Sequence, residues 1–367
     1  MKFIINRENL LTPLQQIVGV IEKRQTMPVL ANVLLSVKDG FLVLTGTDLE
    51  IQLISKVAIA EGTPGSITVP ARKLLDICRF LPFKADIQLD SDQDKIKVIS
   101  NRSRFSLSCL PSNHYPAFSE TELDKRFTIN AGKLKRAFEK TIFCMANQDV
   151  RYYLNGLLLD ITNKKIKLVA SDGHRLSMYE DVLDEPTGYE ARIILPRKGV
   201  LELYRLLDDT EKELTVMFSS NNIKILSGDL VFSAKLVDAK YPDFSKVFQQ
   251  TLNEPISVPK QELKESLTRV AILANEKFKG ITFDIVSGSM KISTHNPEHD
   301  EAEEEISIEY KGTEDLSIAF NAQYLLDAVS NIDSDSVELT IASNLSSCFV
   351  NEPKECEYKF IVMPMRI

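Results

Sequence analysis

The sequence predicts an α+β fold made of three tandem copies of one unit. The order strand, helix, hairpin, strand, helix, hairpin occurs three times along the 367 residues. The first hairpin of each copy ends at Asp48, Asp172 or Asn296, so the copies repeat at a constant interval of 124 residues. This interval is much longer than a solenoid repeat, and each copy is therefore expected to be a separate domain.

The first helix of each copy follows a short strand and is amphipathic. In the central copy, apolar residues from Leu134 to Thr141 recur at helical spacing, while Lys133, Arg136 and Lys140 form a separate basic face. Asparagine is a good N-cap and stands at two of the three junctions. The first helices are predicted over 7–20, 131–142 and 260–270, after Asn6, Asn130 and Pro259.

The second helix of each copy is predicted over 71–79, 196–206 and 321–330. The remaining segments alternate apolar and polar residues, as half-buried strands do, and hairpins connect them. Runs of strands interrupted by two helices favour antiparallel sheets with helices on one face. Polar stretches near 122–125 and 250–254 precede the second and third copies, which predicts domains over 1–124, 125–253 and 254–367.

The composition is that of an ordinary globular chain, with 44% hydrophobic and 26% charged residues. No apolar run reaches the roughly 18 residues of a membrane span. Charge begins at once with Lys2, so no signal peptide is expected and the chain is predicted to be cytoplasmic. Five cysteines without a CxxC pair indicate reduced, mostly buried thiols rather than a disulfide framework.

Positive charge is concentrated on the predicted helices. The chain has a net charge of −8, yet the six helices together carry +7 and the remainder −15. A basic surface gathered on one kind of element favours a nucleic-acid partner that is bound through phosphates, without sequence readout. The helical candidates for this contact are Lys73, Lys133, Arg136, Arg197 and Lys198.

Charge also separates the two ends of the chain. Arg102, Arg104, Phe105 and Leu107 lie on a predicted edge strand, whereas 298–305 is the most charged window and is acidic. That window is either a solvated acidic loop or a surface complementary to the basic edge of another subunit. The second interpretation suits a head-to-tail contact that closes a ring.

The last eight residues are apolar, whereas chain termini are usually polar and frayed. They are expected to form a final strand up to Pro364, which cannot donate to a ladder. Met365 and Ile367 are then free to line a surface groove, and methionine suits pockets that accept several partners.

No credible active site is present in the sequence. Ser171 to Arg175 has a hydroxyl, a carboxylate and an imidazole, but adjacent turn residues cannot converge as a catalytic relay, and a turn with an exposed basic pair is expected. Pro297 separates His295 from His299, which prevents a helical zinc pair. We therefore predict a non-enzyme with no metal and no cofactor. Two other classes remain open: a nucleic-acid-processing enzyme with a basic cleft, and a protein-only scaffold.

Over its whole length the sequence resembles the bacterial DNA polymerase III β subunits, the sliding clamps. The strings that carry the resemblance are LTGTDLE at 44–50, NQDVRYYLNG at 147–156, SDGHRL at 171–176, LPRKGV at 195–200, NEKF at 275–278 and VMPMR at 362–366. The resemblance implies three clamp domains per subunit, with sheets outside and two helices per domain inside. It further implies two subunits closing head to tail around duplex DNA, as a processivity factor for the replicative polymerase.

The resemblance also implies roles for individual residues. The implied DNA contacts are Arg24, Gln148, Tyr152, Tyr153 and Lys198. Opposite halves of the dimer interface are Arg102, Arg104, Phe105 and Leu107, and Ile272, Leu273, Glu298, Asp300, Glu301, Glu303 and Glu304. A peptide-binding groove would be formed by Leu154, Ser171, Gly173, His174, Arg175, Leu176, Pro242, Lys246, Val247, Asn321, Tyr324, Ile361, Val362, Met363, Pro364, Met365, Arg366 and Ile367, with Arg151 helping to order it.

The implied partners of the groove are linear motifs of the polymerase catalytic subunit, the clamp loader, translesion polymerases, mismatch-repair proteins and ligase. The sequence departs from the family pattern at three groove positions. Ser171 stands in place of threonine and Ile367 in place of leucine, both nearly isosteric, while Lys246 stands where arginine is common. Lysine lacks the planar guanidinium that stacks and binds bidentately.

Overall fold

A computed structural model describes residues 1–22, 27–118, 122–208, 210–312, 314–343 and 345–365. Within these residues the chain forms six α-helices, two in each sequence repeat. They are α1 (Arg7–Val18), α2 (Ala71–Phe80), α3 (Ala131–Glu139), α4 (Arg197–Leu206), α5 (Lys260–Val270) and α6 (Ala322–Ser330).

The strands follow the predicted order around the helices, but each predicted hairpin continues into a further strand, such as Ile51–Ala58 after the hairpin of Asn32–Lys38 and Phe41–Thr47. The first repeat contains β1 (Lys2–Asn6), β2 (Asn32–Lys38), β3 (Phe41–Thr47), β4 (Ile51–Ala58), β5 (Gly62–Thr63), β6 (Gly65–Pro70), β7 (Asp86–Asp92), β8 (Lys95–Ser100) and β9 (Ser103–Ser108). The second contains β10 (Lys125–Asn130), β11 (Gly156–Ile161), β12 (Lys165–Ser171), β13 (Arg175–Val182), β14 (Ala191–Pro196), β15 (Glu213–Phe218), β16 (Asn222–Ser227) and β17 (Leu230–Lys235). The third contains β18 (Ile256–Pro259), β19 (Gly280–Val286), β20 (Ser289–His295), β21 (Glu301–Ser307), β22 (Glu309–Tyr310), β23 (Leu316–Asn321), β24 (Ser336–Ile341), β25 (Cys348–Asn351) and β26 (Tyr358–Val362).

The helix starts follow the predicted capping residues. The side chain of Asn6 accepts a hydrogen bond from Glu8 N, and that of Asn130 accepts one from Lys133 N. The end of α3 differs from the prediction, since the helix stops at Glu139 instead of continuing to 142. Thr141 bonds back to the carbonyl of Ala137 and a 3₁₀ turn follows, so local side-chain bonding tightens the chain there.

The first compact unit consists of Met1–Lys135 and Lys198–Asp238. It contains a five-stranded sheet, ordered β5-β1-β7-β8-β9, and an eight-stranded sheet, ordered β10-β15-β16-β17-β4-β3-β2-β6. Every strand pair in both sheets is antiparallel, and α1 and α2 pack side by side. The strand pair β17–β4 joins strands of two sequence repeats into one continuous sheet.

The second compact unit consists of Arg136–Arg197 and Ala239–Ile367. It contains a nine-stranded sheet, ordered β14-β11-β12-β13-β26-β25-β24-β18-β22, and a four-stranded sheet, ordered β21-β20-β19-β23. The pair β13–β26 again joins two repeats, and its register places Leu176 opposite Ile361. This pairing brings the last strand of the chain beside the turn at 171–175.

The acidic window at 298–305 is not a loop, which corrects one of the two sequence-based interpretations. Glu301–Ser307 forms β21, which pairs with β20 and is the edge strand of the four-stranded sheet. Only Glu298, His299 and Asp300 of this window remain in the connection before it. Acidic side chains on an edge strand discourage unspecific strand pairing, because the charge would have to be matched by a partner.

Candidate functional site

The turn between β12 and β13 is held by its own side chains. Ser171 Oγ accepts a hydrogen bond from Gly173 N at 3.0 Å and donates to Arg175 O at 2.7 Å. Asp172 Oδ1 accepts from the backbone N–H groups of His174 and Arg175. Gly173 has φ +87°, and a Cβ there would lie 2.7 Å from the Arg151 guanidinium. The positive φ therefore favours glycine, and a larger residue would also displace the Arg151 guanidinium.

Arg175 is not the exposed member of a basic pair, which corrects the sequence prediction. Its side chain is only 12% exposed and donates to Asp172 Oδ2 at 3.0 Å and to Asp327 Oδ2 at 2.5 Å. The guanidinium also lies 4.5 Å from the centre of the Tyr324 ring. Asp327 is 152 residues away in the chain, so this contact connects the turn to α6. His174 is exposed and stacks on the same Tyr324 ring.

Arg151 lies beside the turn and is held by a bidentate ion pair. Its guanidinium donates to both carboxylate oxygens of Asp149 and to the carbonyl of Asp172. The side-chain hydrogen bond from Arg151, followed by its backbone N–H, lowers the pKa of Asp149 to about 2. The pair therefore stays charged at neutral pH and fixes the guanidinium against Gly173.

The chain end lies across the turn. After β26, Met363 N donates to the carbonyl of His174 at 2.8 Å and Met365 N donates to that of Ala319 at 2.7 Å. Met363 is exposed while Ile361 is buried, so this segment presents its methionine to solvent. Arg366 and Ile367, also predicted in the groove, lie outside the described residues.

A cavity of about 170 Å³ opens between the turn and the chain end. Nine of the predicted groove residues line it, namely Leu154, Ser171, Gly173, Arg175, Leu176, Pro242, Val247, Ile361 and Met363. Three other predicted residues are not among those that line it: His174 stacks on Tyr324, and Asn321 caps the start of α6. Lys246 is exposed in the 3₁₀ turn Ser245–Gln249, and Val362 is buried within β26.

The cavity contains further residues that the sequence did not indicate as groove residues. Tyr241 and Phe244 line it, as does Tyr153, which was predicted to contact DNA. The rings of Tyr153 and Tyr241 meet edge to face at 6.4 Å. Burial raises the pKa of the Tyr241 hydroxyl further above its ordinary value. The available signal was the set of aromatic residues Tyr241, Phe244 and Phe248 in the segment after β17.

The residues of the first unit that are predicted to contact DNA differ in whether they are exposed or already bonded to other protein groups. Lys73 is exposed on α2, and Lys133 is half-buried on α3. Lys198 is bonded to two carboxylates, those of Glu22 and the buried Asp48. Its ammonium is therefore already neutralised locally, which sequence reasoning missed. Arg24 lies outside the described residues.

The candidates of the second unit also divide into exposed and bonded side chains. Gln148 and Tyr152 are exposed, Tyr152 by 59%. Arg136 forms an ion pair with Asp333 at 2.8 Å, and Arg197 donates to the carbonyl of Met145. Both arginines therefore already have a hydrogen-bond partner within the protein, which a DNA phosphate would have to share.

Lys140 does not lie on an exposed basic face, which corrects the helical prediction. Its residue is 4% exposed, and the ammonium donates to Asp333 Oδ1 and to Asn331 O, each at 2.6 Å. It also lies 4.3 Å from the centre of the Tyr358 ring. The sequence placed it one turn beyond Arg136, but the helix has ended there and the side chain turns into the protein.

The interface candidates lie on sheet edges and one 3₁₀ turn. In the first unit, Arg102 precedes the edge strand β9, on which Arg104 and Phe105 are exposed while Leu107 is buried. In the second unit, Ile272 is 76% exposed and Leu273 is half-buried. Glu298, Asp300, Glu301 and Glu303 are exposed, whereas Glu304 is bonded to Arg269 and Ser266.

Within the described residues, no group of three or more His, Cys, Asp or Glu side chains is arranged to hold a metal ion. The five cysteines are free thiols, four of them buried. None of the described helices is long and apolar enough to cross a membrane.

The sequence matches one protein family over almost its whole length. The profiles of the DNA polymerase III beta subunit match the chain in tandem: the N-terminal domain over 1–119, the central domain over 128–243 and the C-terminal domain over 245–366. The chain belongs to the DNA polymerase III beta subunit family. This confirms the predicted family and the α+β fold of three tandem clamp domains.

Relatives of the clamp agree over their full lengths. The beta sliding clamp of Pseudomonas putida is 44% identical and that of Escherichia coli 41% identical, each with complete coverage of both chains. A crystal structure of the Pseudomonas aeruginosa subunit matches with a TM-score of 0.97 at 43% identity, and another, bound to griselimycin, with 0.96. Complete coverage of both chains is found in each case. The clamp is therefore a non-catalytic processivity factor of a DNA polymerase, as predicted.

Proposed function

We propose that two copies of the clamp close head to tail into a ring around duplex DNA. Exposed Lys73, Gln148 and Tyr152, with Lys133, Arg136, Arg197, Lys198, Arg24 and Tyr153 as further candidates, would contact phosphates without reading sequence. Such contacts weaken with salt and exchange readily, which suits sliding. Retention then depends on the closed ring rather than on affinity.

The ring would close through the predicted interface residues. The basic edge β9 of one copy would meet Ile272, Leu273 and the acidic side chains around β21 of the other. Opposite charge guides the register, while the exposed Phe105 and Ile272 supply apolar area. We further propose domain boundaries at 124/125 and 253/254, and a cytoplasmic location beside the chromosome.

We infer that the groove binds short linear segments of the replicative polymerase, and by the same means of the clamp loader, translesion polymerases, mismatch-repair proteins and ligase. The observation that carries this inference is the preformed apolar cavity at 171–176, which the chain end walls. Tethering through such a segment keeps a polymerase at high effective concentration near the primer end.

A charge introduced into the cavity tests this function. Met363 is 38% exposed, so Met363→Glu is tolerated by the fold but places a carboxylate in the apolar site. The matched control is Val286→Glu, at a residue 43% exposed and outside the groove. Met363→Glu should reduce the length of primer-extension products to that of polymerase alone, while Val286→Glu leaves it unchanged.

Binding is measured in parallel with overlapping peptides of about twenty residues that cover the polymerase catalytic subunit. Met363→Glu should lose at least one of these peptides, and griselimycin should displace the same peptide from the unaltered clamp. Full stimulation and unchanged peptide binding by Met363→Glu would refute the assignment of the groove.

A further inference from the structure

A second and larger cavity lies beside the chain end. It has a volume of about 410 Å³, within the range of about 300–1,000 Å³ that is typical of ligand pockets. Its wall includes Asn275, Phe278, Thr282, His295, Pro297 and Met365, and we call it the flanking cavity. The groove residues that line the first cavity are absent from it.

The two cavities share the segment after β26. Met363 lines the groove and Met365 lines the flanking cavity, so the Cα atoms of these two lining residues are at most about 7 Å apart. The backbone bond from Met365 N to Ala319 O fixes this dividing segment against β23. A peptide that leaves the groove along Met365 would meet the flanking cavity next.

A second connection runs through Asn321, at the start of α6. Its carboxamide oxygen accepts from the N–H groups of Gln323 and Tyr324, and its Nδ2 donates to Phe278 O at 3.1 Å. Tyr324 stacks on His174 of the groove turn, while Phe278 belongs to the flanking cavity. One helix start thus positions both sites.

Hydrogen bonds within the wall of the flanking cavity fix its shape but leave two polar side-chain groups available to a ligand. Asn275 Oδ1 accepts from the N–H groups of Lys277 and Phe278, which holds the aromatic side chain at the cavity with 55% of it exposed. Among the described residues, neither the Thr282 hydroxyl nor the Nδ2 of Asn275 has a hydrogen-bond partner. Phe278, Pro297 and Met365 supply apolar surface between these polar groups.

We propose that the flanking cavity binds the residues of a partner peptide that lie immediately beyond the segment held in the groove. The occupant is an aliphatic or aromatic side chain against Phe278, Pro297 and Met365, with its backbone bonded to Thr282 and Asn275. This proposal rests on the proposed function of the groove, because the peptide is delivered by it.

The absence of tryptophan from the chain permits a direct test. Phe278→Trp places a single fluorophore in the flanking cavity, and Phe80→Trp places one at a phenylalanine that is 90% exposed and belongs to the other compact unit. The probes are a polymerase-derived peptide of about twenty residues that Met363→Glu weakens, and its shortest version that the groove still binds.

The long peptide should shift the emission of Phe278→Trp, the short peptide should not, and Phe80→Trp should respond to neither. In polarisation assays, the long peptide should bind the unaltered clamp about tenfold more tightly than the short one. Phe278→Ala should remove that difference without changing the affinity of the short peptide.

The outcomes separate this proposal from the function of the groove. Equal affinities of the two peptides, or no emission change, would overturn the flanking cavity while leaving the groove intact. If Met363→Glu weakens the binding of no polymerase-derived peptide, the groove assignment itself is wrong. An emission change of Phe278→Trp with clamp concentration alone, without peptide, would assign the cavity to a contact between subunits and would also overturn the proposal.

Discussion

At the residue scale, the groove turn depends on one buried arginine. Arg175 neutralises Asp172 and Asp327, whose side chains are 16% and 28% exposed. Removing one member of a buried group of charges lowers the free energy of unfolding by more than the intact group adds to it, because the remaining charges stay desolvated without a partner. The turn conformation is therefore coupled to the presence of this guanidinium.

Replacing the arginine by an apolar residue of similar length tests this coupling. Arg175→Met should lower the free energy of unfolding by about 3 kcal/mol and abolish peptide binding, because two carboxylates lose their counter-charge. The control, Lys291→Met, breaks the exposed ion pair with Glu303 and should change stability by less than about 0.5 kcal/mol. Urea unfolding measures both, and equal effects of the two variants would contradict the role of Arg175.

Acid sensitivity is expected at a second residue. Hydrogen bonds from Arg269 and then Ser266 lower the pKa of Glu304 from its ordinary value of 4.5 to about 2. A depressed folded-state pKa stabilises the protein above the unfolded-state value, and the contribution is lost as pH falls from about 4.5 toward 2. Because Arg269 is half-exposed, solvent screening reduces the contribution to about 1 kcal/mol.

The measurement compares unfolding free energies at pH 7 and pH 3. Glu304→Gln should cost about 1 kcal/mol at pH 7 and much less at pH 3, because the unaltered clamp has by then lost most of the same interaction. Glu303→Gln, on the exposed face of the same strand, is the control. A cost of Glu304→Gln that does not change with pH would show that the ion pair is not its source.

At the element scale, the helices, strands and turns of each repeat could be predicted from the sequence, but the contacts between residues far apart in the chain could not. The capping asparagines Asn6 and Asn130, the hairpins and the turn at 171–175 follow from residues that are close in sequence. The burial of Arg175 and Lys140 depends on Asp327 and Asp333, which are 152 and 193 residues away. A single sequence holds no signal for such pairs.

The strand pairs that connect different repeats could not be predicted from the sequence either. Strand β13 pairs with β26, and β17 with β4, although each pair comes from different repeats. Alternation predicts that these segments are strands but not which edges meet. The groove could therefore be assigned from family resemblance, whereas the contribution of Tyr153 and Tyr241 to its wall could not.

The link between the end of α3 and the loop after α6 yields an element-scale prediction. Asp333→Asn leaves the Lys140 ammonium, which is 5% exposed, without its counter-charge and should lower the free energy of unfolding by about 2 kcal/mol. Asp335→Asn alters an exposed carboxylate in the same loop and should stay within about 0.5 kcal/mol. Thermal unfolding compares them, and identical midpoints would mean that the ion pair contributes nothing.

At the scale of the whole molecule, the distribution of charge is more informative than the net charge. A chain with net charge −8 concentrates its positive charge on helices and its negative charge on strands and connections. Several of the helical cations are already bonded to carboxylates, notably Lys198 and Arg136. We therefore expect weak, salt-sensitive contact with DNA, which is what a sliding protein requires.

Because contact with DNA is weak, the clamp must be retained by encirclement, and its retention on circular and linear DNA measures this. The clamp is loaded onto nicked circular duplex, transferred to high salt and separated by gel filtration, before and after a restriction enzyme linearises the DNA. We expect the clamp to stay with the circle and to be lost from the linear form. Equal loss from both forms, or equal retention on both, would contradict it.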